Sequence, residues 1–285
     1  MILIAGATGT VGRPLILELK ERRAAFRVLT RDPARARNYL GDVGCAVGDV
    51  SRPETVAKAL AGVEAAFLLS PLDPSLPAWE AGFARAAKKA GVKRLVKLSA
   101  LGADPRSPAA IARWHGEAEE EVKRAGVPFT ILRPAAFYQN FLGNAGSIRR
   151  GTLAAPMGTA RVAMVDARDV GVAAAAALLA LAPSPFEGAT LTLTGPAPAS
   201  YAEAASAFSR ILGRPVAYAD TAPDDARRGM LDAGMPLWLI DAVLGLAEQF
   251  RAGRADLAAD GVSRATAREP IALERFIRDH AAAFA

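Results

Sequence analysis

The chain has 285 residues, 52% of them hydrophobic, and a formal charge of +6, enough for one large domain or two intimate ones. No apolar run approaches a membrane span and no charged leader precedes an apolar signal region, so the expectation is a cytoplasmic protein without membrane contact. The single cysteine, Cys45, excludes an intramolecular disulfide and zinc-type ligand clusters, and reads as a small buried apolar residue.

An apolar strand, Ile2–Ala5, runs directly into Gly6-Ala-Thr-Gly9-Thr-Val-Gly12, and an amphipathic helix, Arg13–Ala25, follows at once. In that setting one glycine permits a tight turn, one lets the backbone approach a pyrophosphate, and one lets the helix pack closely on its strand. The helix start offers unpaired N–H groups and a positive dipole end, so Gly6, Thr8, Gly9, Thr10, Val11 and Gly12 form the expected phosphate turn.

Further strands read at Phe26–Thr30, Cys45–Gly48, Ala65–Leu69, Leu95–Ser99 and Thr130–Arg133, and helices at Pro53–Ala61, Leu76–Ala90 and Ala109–Ala125. Gly62, Gly91 and Gly126 each close a helix just before the next strand, the punctuation of successive βαβ units. Short, continuous apolar strands suit a sheet covered on both faces, so the fold class is α/β: a Rossmann-type, doubly wound parallel sheet.

Past Arg133 the rhythm changes. A strand at Ala163–Asp166, an Ala-rich helix at Asp169–Leu181 and a strand at Thr190–Thr194 precede helices near Ser200–Leu212, Asp224–Ala233, Leu237–Ala252 and Ile271–Ala283. The expected organisation is a dinucleotide-binding domain over 1–150 and a smaller, mostly helical substrate part over 151–285, with about 163–195 threading back onto the sheet. Trp238 and Phe250 read as core and His280 as surface.

Residues 1–150 carry 23 Lys and Arg against 14 Asp and Glu, whereas residues 151–285 carry 12 against 15. The basic half has neither a basic run nor aromatic interleaving, so a phosphate-bearing small molecule explains it better than nucleic acid. Strand Phe26–Thr30 ends in Arg31, with Arg35 and Arg37 one helical turn on. A basic residue there suits the 2′-phosphate of NADP, where NAD sites usually place Asp or Glu, so NADP(H) is expected over NAD(H). Ordinary solvated arginines are the alternative. Asp32 reads as the cap of a short helix begun by Pro33. Asp49, followed by Val50, either contacts the adenine amine or serves as a turn residue. Ser70 and Pro71 end the fourth strand and are expected to line the passage from pyrophosphate to nicotinamide.

Ser99 ends the fifth strand, at the carboxyl edge where open α/β sheets bind ligands. On the following helix His115 and Glu119 share one face with Ile111, Ala118 and Val122. His115 is either a proton donor titrating near neutrality, with Glu119 orienting it or holding the ribose, or a packing histidine beside Trp114. After the sixth strand, Pro134 and Phe137 are candidates for the nicotinamide face. Trp114, Tyr138, Gln139 and Asn140 are candidates for the substrate pocket. Tyr138 is a rival proton donor or else a core aromatic. With two distant histidines and one cysteine, no metal site is expected.

The chain resembles the NmrA-like branch of the atypical short-chain dehydrogenases and reductases. The resemblance rests on Gly6 to Gly12, Thr30-Arg-Asp32, Gly48-Asp-Val50, Leu98-Ser-Ala-Leu-Gly102, Arg113-Trp-His-Gly-Glu-Ala-Glu119, Leu132-Arg-Pro134 and Gln139-Asn140. It extends over essentially the whole chain and is nearest to bacterial NAD(P)H-dependent quinone or azo-dye reductases. Standard members of the wider superfamily use Tyr-x-x-x-Lys where this chain has His115 and Glu119. By this resemblance Ser99 lies beside substrate or nicotinamide. The implied activity is NADPH-dependent hydride transfer, without flavin or metal, to a small electrophilic acceptor such as a quinone, azo compound or imine. The alternative is a non-catalytic NADP(H)-binding redox sensor, favoured by the loss of Tyr-x-x-x-Lys. Oligomeric state stays open.

Overall fold

The structure is a computed structural model that describes residues 1–181 and 183–285. Strands and helices first alternate without exception: β1 (Ile2–Ile4), α1 (Gly12–Glu21), β2 (Phe26–Thr30), α2 (Pro33–Leu40), β3 (Gly44–Val47), α3 (Pro53–Ala59), β4 (Ala65–Leu68), α4 (Leu76–Lys89), β5 (Arg94–Leu98), α5 (Ala110–Arg124) and β6 (Phe129–Pro134). Then follow α6 (Asn140–Gly143), α7 (Ala145–Arg149), β7 (Thr152–Ala155), β8 (Arg161–Val162), α8 (Ala167–Leu179), β9 (Thr190–Leu193), β10 (Ala199–Ser200), α9 (Tyr201–Leu212) and β11 (Ala217–Asp220). The chain ends in α10 (Pro223–Asp232), α11 (Leu237–Arg251), α12 (Gly261–Thr266), α13 (Leu273–Asp279) and α14 (Ala281–Phe284).

Seven strands form one sheet in the order β3-β2-β1-β4-β5-β6-β9, with every pairing parallel. The order reverses between β1 and β4, which opens a crevice at the carboxyl edge. Side chains alternate across the sheet. Ile2, Ile4, Val28 and Val96 face α1 and α8, while Leu3, Ala66, Leu68 and Leu95 face α3, α4 and α5. A third core, built around Phe141, Phe208, Phe276 and Phe284, lies in the second half of the chain.

Several expectations fail for identifiable reasons. The apolar run Ala163–Asp166 is not a strand: its backbone bonds to loops, and only Val165 makes a β-bridge, with Phe137. Burial explains its composition, but burial alone does not supply a ladder. The following helix starts at Ala167, two residues early, because Asp166 caps it by accepting from the Arg168 N–H. The segment Ile271–Ala283 breaks at His280 into α13 and α14. The pairs β7–β11 and β8–β10, and helix α12, are too short for periodicity to reveal. Cys45 is half-buried on the edge strand β3, not enclosed. Trp238 is 37% exposed, while His280 is half-buried with its ring 4.4 Å from that of Phe276. Among the described residues no helix is long and apolar enough to cross a membrane.

Candidate functional site

The glycine turn lies between β1 and α1, at the reversal of strand order. Gly6 has φ of 70°, and a side chain there would meet Leu69 at 2.8 Å. Gly12 is the first residue of α1, and an added methyl group would overlap the carbonyl oxygens of Gly6 and Ala7. No side chain caps this helix; of its first-turn N–H groups, that of Arg13 bonds the Gly9 carbonyl at 3.3 Å. Thr8, Gly9 and Thr10 are exposed there, and Val11 and Gly12 are buried beneath them. A bare-walled turn under an uncapped helix start fits a dinucleotide pyrophosphate.

At the end of β2 the Arg31 side chain is 81% exposed and 3.7 Å from the Asp49 carboxylate. Asp49 also accepts from the Ser51 N–H and hydroxyl, each at 2.9 Å, which organises the turn after β3. Burial pushes the Asp49 carboxyl up, but the Ser51 hydrogen bonds and the charges of Arg31 and Arg52 outweigh it and hold the pKa below the usual range. Asp32 caps α2 by accepting from the Arg35 N–H at 3.0 Å, and the Arg35 side chain is exposed. Val50 is half-buried against the core beneath the α3–α5 face. Arg13, which the sequence reading left aside, lies 5.4 Å above the Tyr39 ring and adds a cation at this end. Its signal was its place directly after Gly12.

Below the carboxyl edge, between the sheet and helices α4 and α5, lies a row of buried polar side chains: Ser70, Glu80, Lys97, Ser99, His115 and Glu119. Lys97 Nζ donates to the Glu80 carboxylate and, at 3.1 Å, to the Leu98 carbonyl. Both side chains are fully enclosed, and burial pushes the Glu80 carboxyl up against the pull of Lys97. Ser99 donates to Glu119 at 2.5 Å, and Arg133 donates to the same carboxylate through Nε at 2.8 Å and Nη2 at 2.5 Å. Glu119 is therefore committed to Ser99 and Arg133 and does not orient His115. Nor does His115 titrate near neutrality: burial first, and the Lys97 charge second, hold its pKa well below the ordinary value. Glu80, Lys97 and Arg133 were missed, although a lysine inside the apolar strand Arg94–Leu98 signals a buried partner.

The segment after β6 is mostly structural. Pro134 is buried and pairs with Leu193, and Phe137 is half-buried at its bridge to Val165. Tyr138 belongs to the second-half core, 5.6 Å from the Phe276 ring, and burial drives its phenol far up. Gln139 donates to Asp166 at 2.9 Å and accepts from the Ala167 N–H at 3.0 Å, clamping the start of α8 instead of lining a pocket. Asn140 is exposed at the start of α6. Trp114 is half-buried, with its ring 6.1 Å from that of Trp238. Pro71 is exposed and Ser70 buried. A cavity of about 500 Å³ is walled by Tyr138, Phe141, Met164, Tyr201 and Leu273; neither the glycine turn nor His115 lines it.

A family model described as NAD(P)H-binding matches residues 6–180. The chain is 39% identical to an NAD(P)H azoreductase of Xenophilus azovorans, covering 100% of this chain and 99% of that protein. It is 36% identical, over 100% and 99%, to a (4-alkanoyl-5-oxo-2,5-dihydrofuran-3-yl)methyl phosphate reductase of Streptomyces griseus. Among solved structures, an NADPH-dependent quinone oxidoreductase of Escherichia coli superimposes with a TM-score of 0.85 at 26% identity, covering 98% of this chain and 99% of that one.

Proposed function

Since this chain belongs to the NAD(P)H-binding family, in the NmrA-like branch of the atypical short-chain dehydrogenases and reductases, we infer an NAD(P)H-dependent reductase of quinone, azo or related conjugated acceptors. The observation that carries this reading is the uncapped, glycine-walled start of α1 at the point where strand order reverses. The bound reduced dinucleotide would supply a hydride. Gly6 to Gly12 would hold its pyrophosphate through backbone N–H groups, and the exposed Arg31 and Arg35, with Arg13, would face a 2′-phosphate. Those exposed guanidinium groups support NADP(H) over NAD(H).

The azo, oxo-dihydrofuran and quinone compounds in the relatives' names share a conjugated π system, which we take as the acceptor class here. Hydride addition to such a system demands little beyond orientation, so the absence of Tyr-x-x-x-Lys is no obstacle. The test has two arms. NADPH should bind about tenfold or more tighter than NADH by tryptophan quenching, and Arg31→Asp should abolish the difference. Equal affinity of the wild type for both dinucleotides refutes the NADP preference. NADPH absorbance should fall with at least one member of a panel of quinones, azo dyes and imines. Tight binding without turnover on the whole panel would return the reading to a redox sensor.

A further inference from the structure

Lys97 carries three ammonium protons and directs two of them to Glu80 and the Leu98 carbonyl, which leaves one donor uncommitted. Among the described residues four buried side-chain polar atoms lack a partner. Three of them, Ser70 Oγ, Glu80 Oε1 and His115 Nδ1, belong to the polar row beneath the carboxyl edge. The other ring nitrogen of His115, Nε2, is not among these orphaned atoms, and the residue keeps 9% of its surface exposed. Its height in the fold follows from α5, which runs back from the carboxyl edge. His115 precedes Glu119 by four residues, and Glu119 meets Ser99 at the end of β5, so His115 stands about 6 Å further toward the crevice.

The tautomer follows from the charges. A proton on Nδ1 would set an N–H among groups that include the Lys97 ammonium, whereas a lone pair there complements the uncommitted Lys97 donor through one enclosed water, since the two make no direct bond. The other charged groups around the ring are paired: Glu80 with Lys97, and Glu119 with Arg133. We propose that His115 is a neutral hydrogen-bond donor to the reducible acceptor through Nε2–H at the crevice, and that Lys97, anchored by Glu80, is the positioning residue that fixes this tautomer. The proposal rests on the reductase reading. Hydride addition brings two electrons and one hydrogen to the acceptor and leaves negative charge on its oxygen or nitrogen. His115 stabilises that charge without breaking its N–H bond, and the anion then takes its proton from water. Neutral imidazole is the form suited to this role, because a donor that does not release its proton needs no pKa near the working pH.

The chain holds only two histidines, so nitrogen NMR on histidine-labelled protein without dinucleotide reads the tautomer directly. His280 is an internal reference of opposite kind, since its Nδ1 lies 2.9 Å from the Phe276 carbonyl and must carry the hydrogen. His115 should show the neutral Nε2–H pattern, unchanged from pH 6 to 8. An imidazolium or an Nδ1–H signal at pH 7 overturns the proposal. In Lys97→Met/Glu80→Leu, which removes both charges together so that neither is stranded, the His115 signal should become a mixture of tautomers. An unchanged Nε2–H pattern in that variant removes Lys97 from the role. If the variant fails to fold, the wild-type spectrum still decides the tautomer. In turnover, His115→Phe should lower kcat about 100-fold with little change in the NADPH KM. His115→Gln, which keeps a neutral N–H but cannot transfer a proton, should recover at least tenfold of that loss. Equal kcat for the Gln and Phe variants refutes the donor role. A wild type with the expected spectrum but no turnover on the acceptor panel sinks the reductase reading instead.

Discussion

Glu119→Ala removes the one acceptor shared by Ser99 and Arg133. Three short hydrogen bonds vanish, at 2.5, 2.8 and 2.5 Å, from a carboxylate that is 1% exposed. Hydrogen bonds to charged groups are worth about 1.5–3 kcal/mol each, and breaking a buried ion pair costs about 3–5 kcal/mol. The Arg133 side chain is 28% exposed and so regains some water, while the three bonds share one carboxylate and do not add. The expected loss is therefore about 3 kcal/mol. At roughly 2 °C per kcal/mol for a chain of this size, the melting temperature should fall by about 6 °C. Ser99→Ala leaves the Arg133 pair intact and should cost about 1.5 kcal/mol, or roughly 3 °C. Thermal unfolding of both variants and their double, followed by circular dichroism without dinucleotide, measures this. The double should resemble Glu119→Ala, because Ser99 has no acceptor left to lose. A drop under about 2 °C for Glu119→Ala, or additive losses in the double, would refute the shared-carboxylate account.

Gly12→Ala places a methyl group against two backbone carbonyls that have no side chain to move aside, so α1 must shift. Stability should fall by about 3 kcal/mol or more and NADPH affinity by about 100-fold or more in a fluorescence titration. Gly229→Ala, also in a helix but with open space around it, should be neutral or stabilising by about 0.5–1 kcal/mol; equal effects at both positions would sink the cradle argument. Asp169 accepts from the Ile271 N–H at 2.8 Å, and its pKa is pushed up to about 6, chiefly by burial and also by the nearby Asp166. A raised acid pKa means that the folded state holds the proton more tightly than the unfolded one. This contribution is complete below about pH 4 and is lost as pH rises through about 6. Asp169→Asn keeps the acceptor without the charge, so its melting temperature relative to wild type should climb between pH 4 and 7. A constant difference over that range would remove Asp169 as the cause.

The first half of the fold was legible because each element advertises itself locally. Glycines close the helices, strands are short and apolar, and the glycine turn sits where strand meets helix. The same local logic failed at Ala163–Asp166, where burial without a pairing partner has the composition of a strand. It failed again at Trp238, whose apolar helix face is left part-open. In the site, Arg31 and Asp32 stood where a strand end and a helix cap require them. Gln139 clamps the start of α8, and Tyr138 joins the second-half core while walling the cavity there, because a polar side chain in an irregular segment serves a binding site and a structural clamp equally well by sequence. Lys97 is a charge among apolar residues in its strand, but its partner Glu80 lies 17 residues away on helix α4, beyond the reach of periodicity.

The sequence by itself determined the parallel sheet, the glycine turn between β1 and α1 and the arginines after β2, since these depend on backbone freedom and on residues adjacent in the chain. Only the tertiary structure decided the burial of His115, the partners of Glu119 and the enclosure of Lys97. Each of these depends on which charge stands across a packed interface. Coulomb interactions and desolvation at a few ångströms are set by the folded chain, not by the order of residues along it.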